Sequence, residues 1–166
     1  MSFEQPDTLH FKGQDYGTGS YPLASFYRNA NITPPFRPIL PTLTRGYWAT
    51  WLVEREQLFL MEIRGIVEGG ADSSTHLLNL IFPAAEGNVL ADWYTGTIRG
   101  YRGWKRHLGS PSSVVFDNEA HFHVVAGNVQ SIEYIDNSNL ADPTDDEIRK
   151  NLPRFLWPER LWTTER

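Results

Sequence analysis

The chain has 166 residues, a formal net charge of −5 and no cysteine. That length suits one domain that buries roughly 70% of its unfolded surface, so cross-links are not needed. The absence of cysteine excludes disulfides, thiolate catalysis and Cys-ligated zinc or iron–sulfur clusters, and the acidic balance disfavours a general nucleic-acid binder.

The aromatic share is 13%, with six Trp, seven Tyr and nine Phe. Flat rings pack well on a pleated surface, so the composition favours strands. The first ten residues, MSFEQPDTLH, have neither the basic nor the apolar region of a secretory leader. The apolar run at 77–82 is broken by Asn79 and is too short to cross a bilayer. A soluble, cytoplasmic protein with no membrane partner is the expectation.

In chain order, TLHFK (8–12) reads as a short strand, and GQDYGTGSYP (13–22) reads as turns because it holds three Gly and one Pro. Residues 21–31 suit one or two helical turns around Leu23, Phe26 and Tyr27. ITPPFRPILP (32–41) carries four prolines, which lack an N–H, so it is an extended connector. RGYWATWLV, EREQ and LFLMEIRGIV (45–67) form the clearest element, a β-hairpin with a polar tip. Alternation puts Tyr47, Ala49, Trp51 and Val53 on one face of its first arm. In the second arm it puts Phe59, Met61 and Ile63 on one face and Leu58, Leu60, Glu62 and Arg64 on the other.

EGGADSST (68–75) is a loop, and HLLNLIF (76–82) is either a strand or a buried helical turn. VLADWYTGTIRGYRGW (89–104) is a long strand candidate. SSVVF, DNEA and HFHVV (112–116, 117–120, 121–125) read as a second hairpin, and GNVQSIEYID (127–136) adds a strand after a Gly-Asn turn. Thr144 and Glu147 are spaced for a capping box at a helix start, with Pro153 as its stop. The aromatic tail LPRFLWPERLW then docks on the β domain or on a partner. The whole is a mainly β domain over 1–166, an antiparallel barrel or two-layer sandwich, with a short C-terminal helix and aromatic tail from about residue 142.

Functional signals are sparse. RGYRGWKRH (99–107) gathers Arg99, Arg102, Lys105 and Arg106 around Tyr101 and Trp104. Without these four cations the chain has 11 basic and 20 acidic residues, so the positive charge is local. Guanidinium groups among rings can hold phosphates and stack bases, while a solvated loop facing the acidic 142–147 segment is the structural alternative. This loop is the candidate binding site, for an acidic protein surface, a nucleic acid or a phosphate-bearing ligand. His121 and His123 share a strand face and could ligate a metal with Asp117, Glu119 or His10, but no third ligand sits at a recognisable spacing, so no cofactor is expected. Asp92 is an acid in an apolar strand, suited to general-base work or to pairing with an arginine such as Arg45. Ser73, Ser74, Ser112 and Ser113 lack a nucleophile elbow, and no phosphate-binding glycine motif occurs.

RGYWATW (45–51), LFLMEIRG (58–65) and VLADWYTGTIR (89–99) resemble a group of small uncharacterised bacterial proteins that pair an RGYxxxW hairpin with a later ADWYTGTIR-like strand. The resemblance spans about residues 7–135 and implies a shared fold and a bacterial or phage origin, with no activity attached. The functional expectation is a non-enzymatic binding protein that engages a protein partner, as immunity and anti-defence proteins do. The alternative is a metal-dependent or ligand-binding enzyme using His121 and His123 with a carboxylate.

Overall fold

The computed structural model describes residues 4–38, 40–67, 77–107, 114–141 and 143–162, with the backbone alone over 104–107. The loop read at 68–75, with Ser73 and Ser74, and the pair Ser112 and Ser113 lie outside these residues. The chain forms two compact units, one of residues 1–101 with 120–134 and one of residues 102–119 with 135–166.

The protein is mainly β, and the first unit contains a closed seven-stranded barrel rather than a sandwich. Its elements are β1 (Asp7–Phe11), β2 (Gln14–Thr18), α1 (Pro22–Ala30), β3 (Tyr47–Glu54), β4 (Gln57–Gly65), α2 (Leu77–Ile81) and β5 (Val89–Leu90). Three long strands follow, β6 (Gly96–His107), β7 (Val114–Val125) and β8 (Asn128–Asp136), and their far ends belong to the second unit. Around the wall the order is β3-β1-β2-β6-β7-β8-β4, and β4 pairs β3 to close the ring, with β5 added on β4. The β1–β3 pairing is parallel, with Leu9 opposite Trp51 and Phe11 opposite Val53.

Two-residue turns with both residues at positive φ join three strand pairs. These are Lys12-Gly13, Arg55-Glu56 and Ala126-Gly127. Such turns match the right-handed twist of the flanking strands. They explain two differences from the sequence reading. GQDYGTGSYP yields the strand β2, because the turn closes within Lys12-Gly13 and frees Gln14–Thr18 to pair with β1. The last hairpin turns at Ala126-Gly127, one residue before the expected Gly-Asn step.

The β3 alternation holds, with Tyr47, Ala49, Trp51 and Val53 buried and the residues between them half-buried. The β4 alternation does not. The register slips between Thr50 and Trp51, so Thr50 pairs Glu62 while Trp51 pairs Leu60. Met61 is the extra residue of a bulge, which reverses the facing of everything after it. Leu58, Leu60 and Ile63 therefore all point into the core, and Phe59 and Met61 are only half-buried.

Other segments differ too. VLADWYTGTIRGYRGW divides into β5, a turn holding Asp92, and β6. Val114–Val125 is one strand, β7, with DNEA inside it rather than at a turn. By contrast, residues 21–31 do hold a helix, α1, entered by Pro22 and capped by Asn31 in the left-handed region, and of the two readings of HLLNLIF the helical one holds, as α2 over Leu77–Ile81. The core is aromatic. Phe122 meets the edges of Phe11 and Tyr16 at 5.2 and 6.1 Å between centroids. Trp93 stacks on Phe82 at 5.6 Å and reaches Trp51 at 6.5 Å.

In the second unit, Thr144 Oγ1 accepts from the Glu147 amide, and Glu147 Oε2 accepts from the Thr144 amide at 3.0 Å. This capping box starts α3 (Asp145–Asn151), and Pro153 follows it. A 3-10 turn (Arg154–Leu156) and α4 (Glu159–Trp162) complete the described tail. Arg160 bonds Asp145 at 2.8 Å, and Ile148 and Leu161 are buried.

Trp51 is fully buried at the meeting of β1, β3 and β4. Trp51→Ala should cost about 3–5 kcal/mol through the cavity it leaves. Urea unfolding measures it, and an unchanged midpoint would contradict the assignment.

Candidate functional site

The first unit holds its polar chemistry where the N-terminal segment meets the start of β3. Asp7 opens β1 and is 1% exposed. One carboxylate oxygen accepts from Arg45 Nη2 at 2.8 Å and from the Ala49 amide at 3.0 Å. The other accepts from Trp51 Nε1 at 3.1 Å. Burial raises the Asp7 carboxyl above the ordinary value, against the pull of Arg45 and these donors.

Arg45 is held from several sides. Nη1 donates to Glu4 Oε1 at 3.1 Å and to the Gln5 carbonyl at 2.6 Å. The guanidinium carbon lies 4.1 Å from the Tyr21 ring centroid and 5.0 Å from that of Tyr47, a desolvated cation–π geometry. Tyr21 enters α1 with φ of 45° and bonds the Gln5 carbonyl at 3.1 Å. Such a φ is costly for a bulky residue and persists because the surroundings over-determine it. Gly46, at φ of 78°, is needed for close approach, because a Cβ there would run into the Arg37 carbonyl and the Phe36 side chain.

Beside this pair lies a cleft of about 440 Å³. Its apolar wall includes Ala24, Ile32, Pro34, Phe36 and Pro38, from α1 and the proline-rich connector. Its polar lining includes Tyr27, Tyr47 and Arg45. Among the described residues, three buried side-chain polar atoms have no hydrogen-bond partner: Tyr27 Oη, Arg45 Nε and Tyr47 Oη. All three residues line this one cleft. Tyr27 is 5% exposed and Tyr47 2%. Burial pushes the Tyr27 hydroxyl up to about 12, and burial with nearby Asp7 pushes Tyr47 higher still. Both phenols therefore stay protonated at neutral pH and can donate.

A second cleft of about 600 Å³ sits at the tips of the β1–β2 and β3–β4 hairpins. Its charged residues, Lys12, Glu54, Arg55 and Glu56, are all exposed. It brings no buried unpartnered group to a ligand.

The residues singled out from sequence lie elsewhere. The 99–107 stretch is part of strand β6, not a loop, because its backbone continues the ladder that starts at Gly96. Arg99, Tyr101 and Arg102 are half-buried, and each is already engaged in an interaction. Tyr101 covers Gly17, and burial raises its hydroxyl. The side chains of Trp104, Lys105 and Arg106 lie outside the described residues. His121 and His123 do share one half-buried face of β7, and His123 Nδ1 is 3.0 Å from Thr97 Oγ1. His10 pairs with Asp15, and Glu119 is buried, accepting from the Phe116 amide at 3.2 Å. Among the described residues no three His, Asp or Glu side chains gather to hold a metal. Asp92 is exposed in its turn, and the carboxylates on Arg45 are Asp7 and Glu4 instead.

Sequence reasoning missed Asp7, Tyr27 and Tyr47 as site residues. The available signal was an acid, Asp7, next to the alternating strand TLHFK (8–12). Against protein-family models, curated proteins and solved structures, the chain finds no match. No described helix is long and apolar enough to cross a membrane.

The two carboxylates on Arg45 have opposite pH linkage. The Glu4 carboxyl is raised by burial, the largest single effect, but the sum of its bonds to Arg45 and Thr44 outweighs that and leaves it lower than usual. It stabilises the fold above its unfolded value, and that contribution is lost as pH falls through the folded one. Asp7, raised in the folded state, adds stability that is full below its unfolded value and is lost as pH rises through the folded value. The stability of the wild type relative to Asp7→Asn should therefore grow as pH is lowered from neutrality into the carboxylate range. Urea midpoints across pH give the slope, and the opposite slope would mean that pairing with Arg45 outweighs burial.

Proposed function

We propose that this is a non-enzymatic binding protein whose working element is the cleft between α1, the proline-rich connector and the start of β3. It takes an apolar group that carries a hydrogen-bond acceptor. The observation that carries this reading is that three buried donors without partners belong to residues that all line one cleft. An unmet buried donor costs about 1–3 kcal/mol, and gathering three in one place is a poor way to build a barrel. The support for binding over catalysis is the chemistry of the lining. Its phenols are held protonated at neutral pH, and Asp7, whose two oxygens are engaged by donors, is not among the lining residues.

A pure acceptor on a ring, acetophenone, is a direct probe. It should shift the backbone amide NMR signals of Tyr27, Phe36 and Tyr47, and a Tyr27→Phe/Tyr47→Phe double variant should lose the response. The same variant should be as stable as the wild type or more so, by up to about 1–2 kcal/mol, because the desolvated hydroxyls are gone. A clear loss of stability with the probe response intact would show the hydroxyls to be structural.

A second reading, engagement of a protein partner, is supported by the second unit. Phe155 is 75% exposed and Trp162 48%, with Leu140 and Leu156 also exposed. Exposed large apolar side chains gathered on a small unit mark interaction surfaces. Phe155→Glu with Trp162→Glu should leave stability within about 0.5 kcal/mol, as surface changes do, and should abolish capture of any partner isolated with the wild-type protein. Capture that survives both changes would remove this surface from consideration.

A further inference from the structure

Three candidates stand out: the cleft of Tyr27, Arg45 and Tyr47, the paired histidines of β7, and the apolar residues of the C-terminal tail. The histidines bring no third ligand among the described residues, and nothing shows what would cover the tail. The cleft carries an argument further, because its charges can be counted.

One guanidinium faces two carboxylates at contact distance, Asp7 at 2.8 Å and Glu4 at 3.1 Å. Its positive charge is already offset. Two of its three nitrogens are engaged, Nη1 by Glu4 and the Gln5 carbonyl and Nη2 by Asp7, leaving Nε–H. The other two donors are neutral phenols. Arg28 is the other cation of the lining, and it is exposed to solvent, where a single charge is heavily screened. An entering carboxylate would give up its hydration and approach a guanidinium whose terminal nitrogens already hold two carboxylates, Asp7 and Glu4, outside the cleft lining. A phosphate, with up to two charges, would fare worse. A neutral carbonyl loses far less on leaving water, and O–H and N–H donors are what it needs. The apolar wall of Ala24, Ile32, Pro34, Phe36 and Pro38 suits the rest of such a molecule.

We infer that the cleft is specific for a neutral carbonyl, such as a ketone, ester or amide, carried on a flat or apolar small molecule, and that Asp7 and Glu4 are the elements that reject anions. The inference rests on the cleft being a binding site and names the ligand class that this site selects. It departs from the expectation of a phosphate-bearing ligand at the basic stretch, which concerns a different part of the chain.

The experiment compares three probes with one ring: acetophenone, benzoate and phenyl phosphate. Each is titrated into the full chain at neutral pH while the backbone amides of Tyr27, Phe36 and Tyr47 are followed by NMR. Acetophenone should bind at least about tenfold more tightly than benzoate, a difference of about 1.4 kcal/mol, and phenyl phosphate should give no saturable shift at these residues. Glu4→Gln removes one of the two rejecting charges and should narrow the acetophenone-to-benzoate ratio by about threefold to tenfold, the scale of one partly exposed charge at short range. Benzoate or phenyl phosphate binding as tightly as acetophenone, with the response lost in Tyr47→Phe, would overturn the ligand class and leave the cleft standing. An unchanged ratio in Glu4→Gln would overturn the role given to that carboxylate. Probes that leave these amides unmoved, or move them equally in Tyr47→Phe, would overturn the cleft itself and the inference with it.

Discussion

The buried carboxylate of Asp7 organises the barrel's first strand and its candidate site together. It accepts from a guanidinium, a backbone amide and an indole, all from residues 45–51. These bonds sit beside the parallel β1–β3 pairing, where Leu9 lies opposite Trp51. The preceding residues add to the same attachment. Gln5 bonds Thr42 through both backbone and side chain, and Trp48 Nε1 bonds Gln5 Oε1 at 2.8 Å. Breaking a buried ion pair by removing one partner typically costs about 3–5 kcal/mol, because the other charge is stranded. That asymmetry makes the pair a strong constraint on register even if its net contribution to stability is small.

The same constraint creates the site. Asp7 and Glu4 take the terminal nitrogens of Arg45, and the rings of Tyr21 and Tyr47 enclose the guanidinium. The orientation that satisfies these partners leaves Nε without one, beside two phenols in the same condition. A fold selected for stability alone would replace such phenols with phenylalanine. On the proposed binding reading, keeping them is a stability–function compromise, with groups desolvated in advance of the ligand.

The segments RGYWATW and ADWYTGTIR gain physical reasons here. In RGYWATW, Arg45 pairs Asp7, Gly46 allows the backbone of Arg37 to approach, and Tyr47 lines the cleft. Trp48 holds Gln5, the Ala49 amide holds Asp7, and Trp51 adds an indole N–H to the same carboxylate. In ADWYTGTIR, Trp93 bonds the Pro22 carbonyl at 2.9 Å and stacks on Phe82, while Tyr94 and Ile98 are buried. The two segments meet where Trp51 faces Trp93.

Local chemistry was legible in the sequence by itself. Period-two alternation placed Tyr47, Ala49, Trp51 and Val53 on the inner face, prolines made 32–41 a connector, and the Thr144–Glu147 spacing marked a capped helix. These features depend on neighbours within a few residues. What the tertiary structure decided depends on partners far along the chain. Barrel closure needs β4 to pair β3 at one edge and β8 at the other, and the bulge at Met61 that turns Ile63 inward is a property of paired strands, not of either strand alone. Arg45 finds Asp7 across 38 residues rather than Asp92, because the β1–β3 register brings one carboxylate to it while the other ends in an exposed turn. Tyr27 and Tyr47 look in sequence like ordinary apolar filling. Only the folded chain shows that their hydroxyls are buried without partners, since being unpartnered is a relation to every surrounding atom and leaves no local pattern.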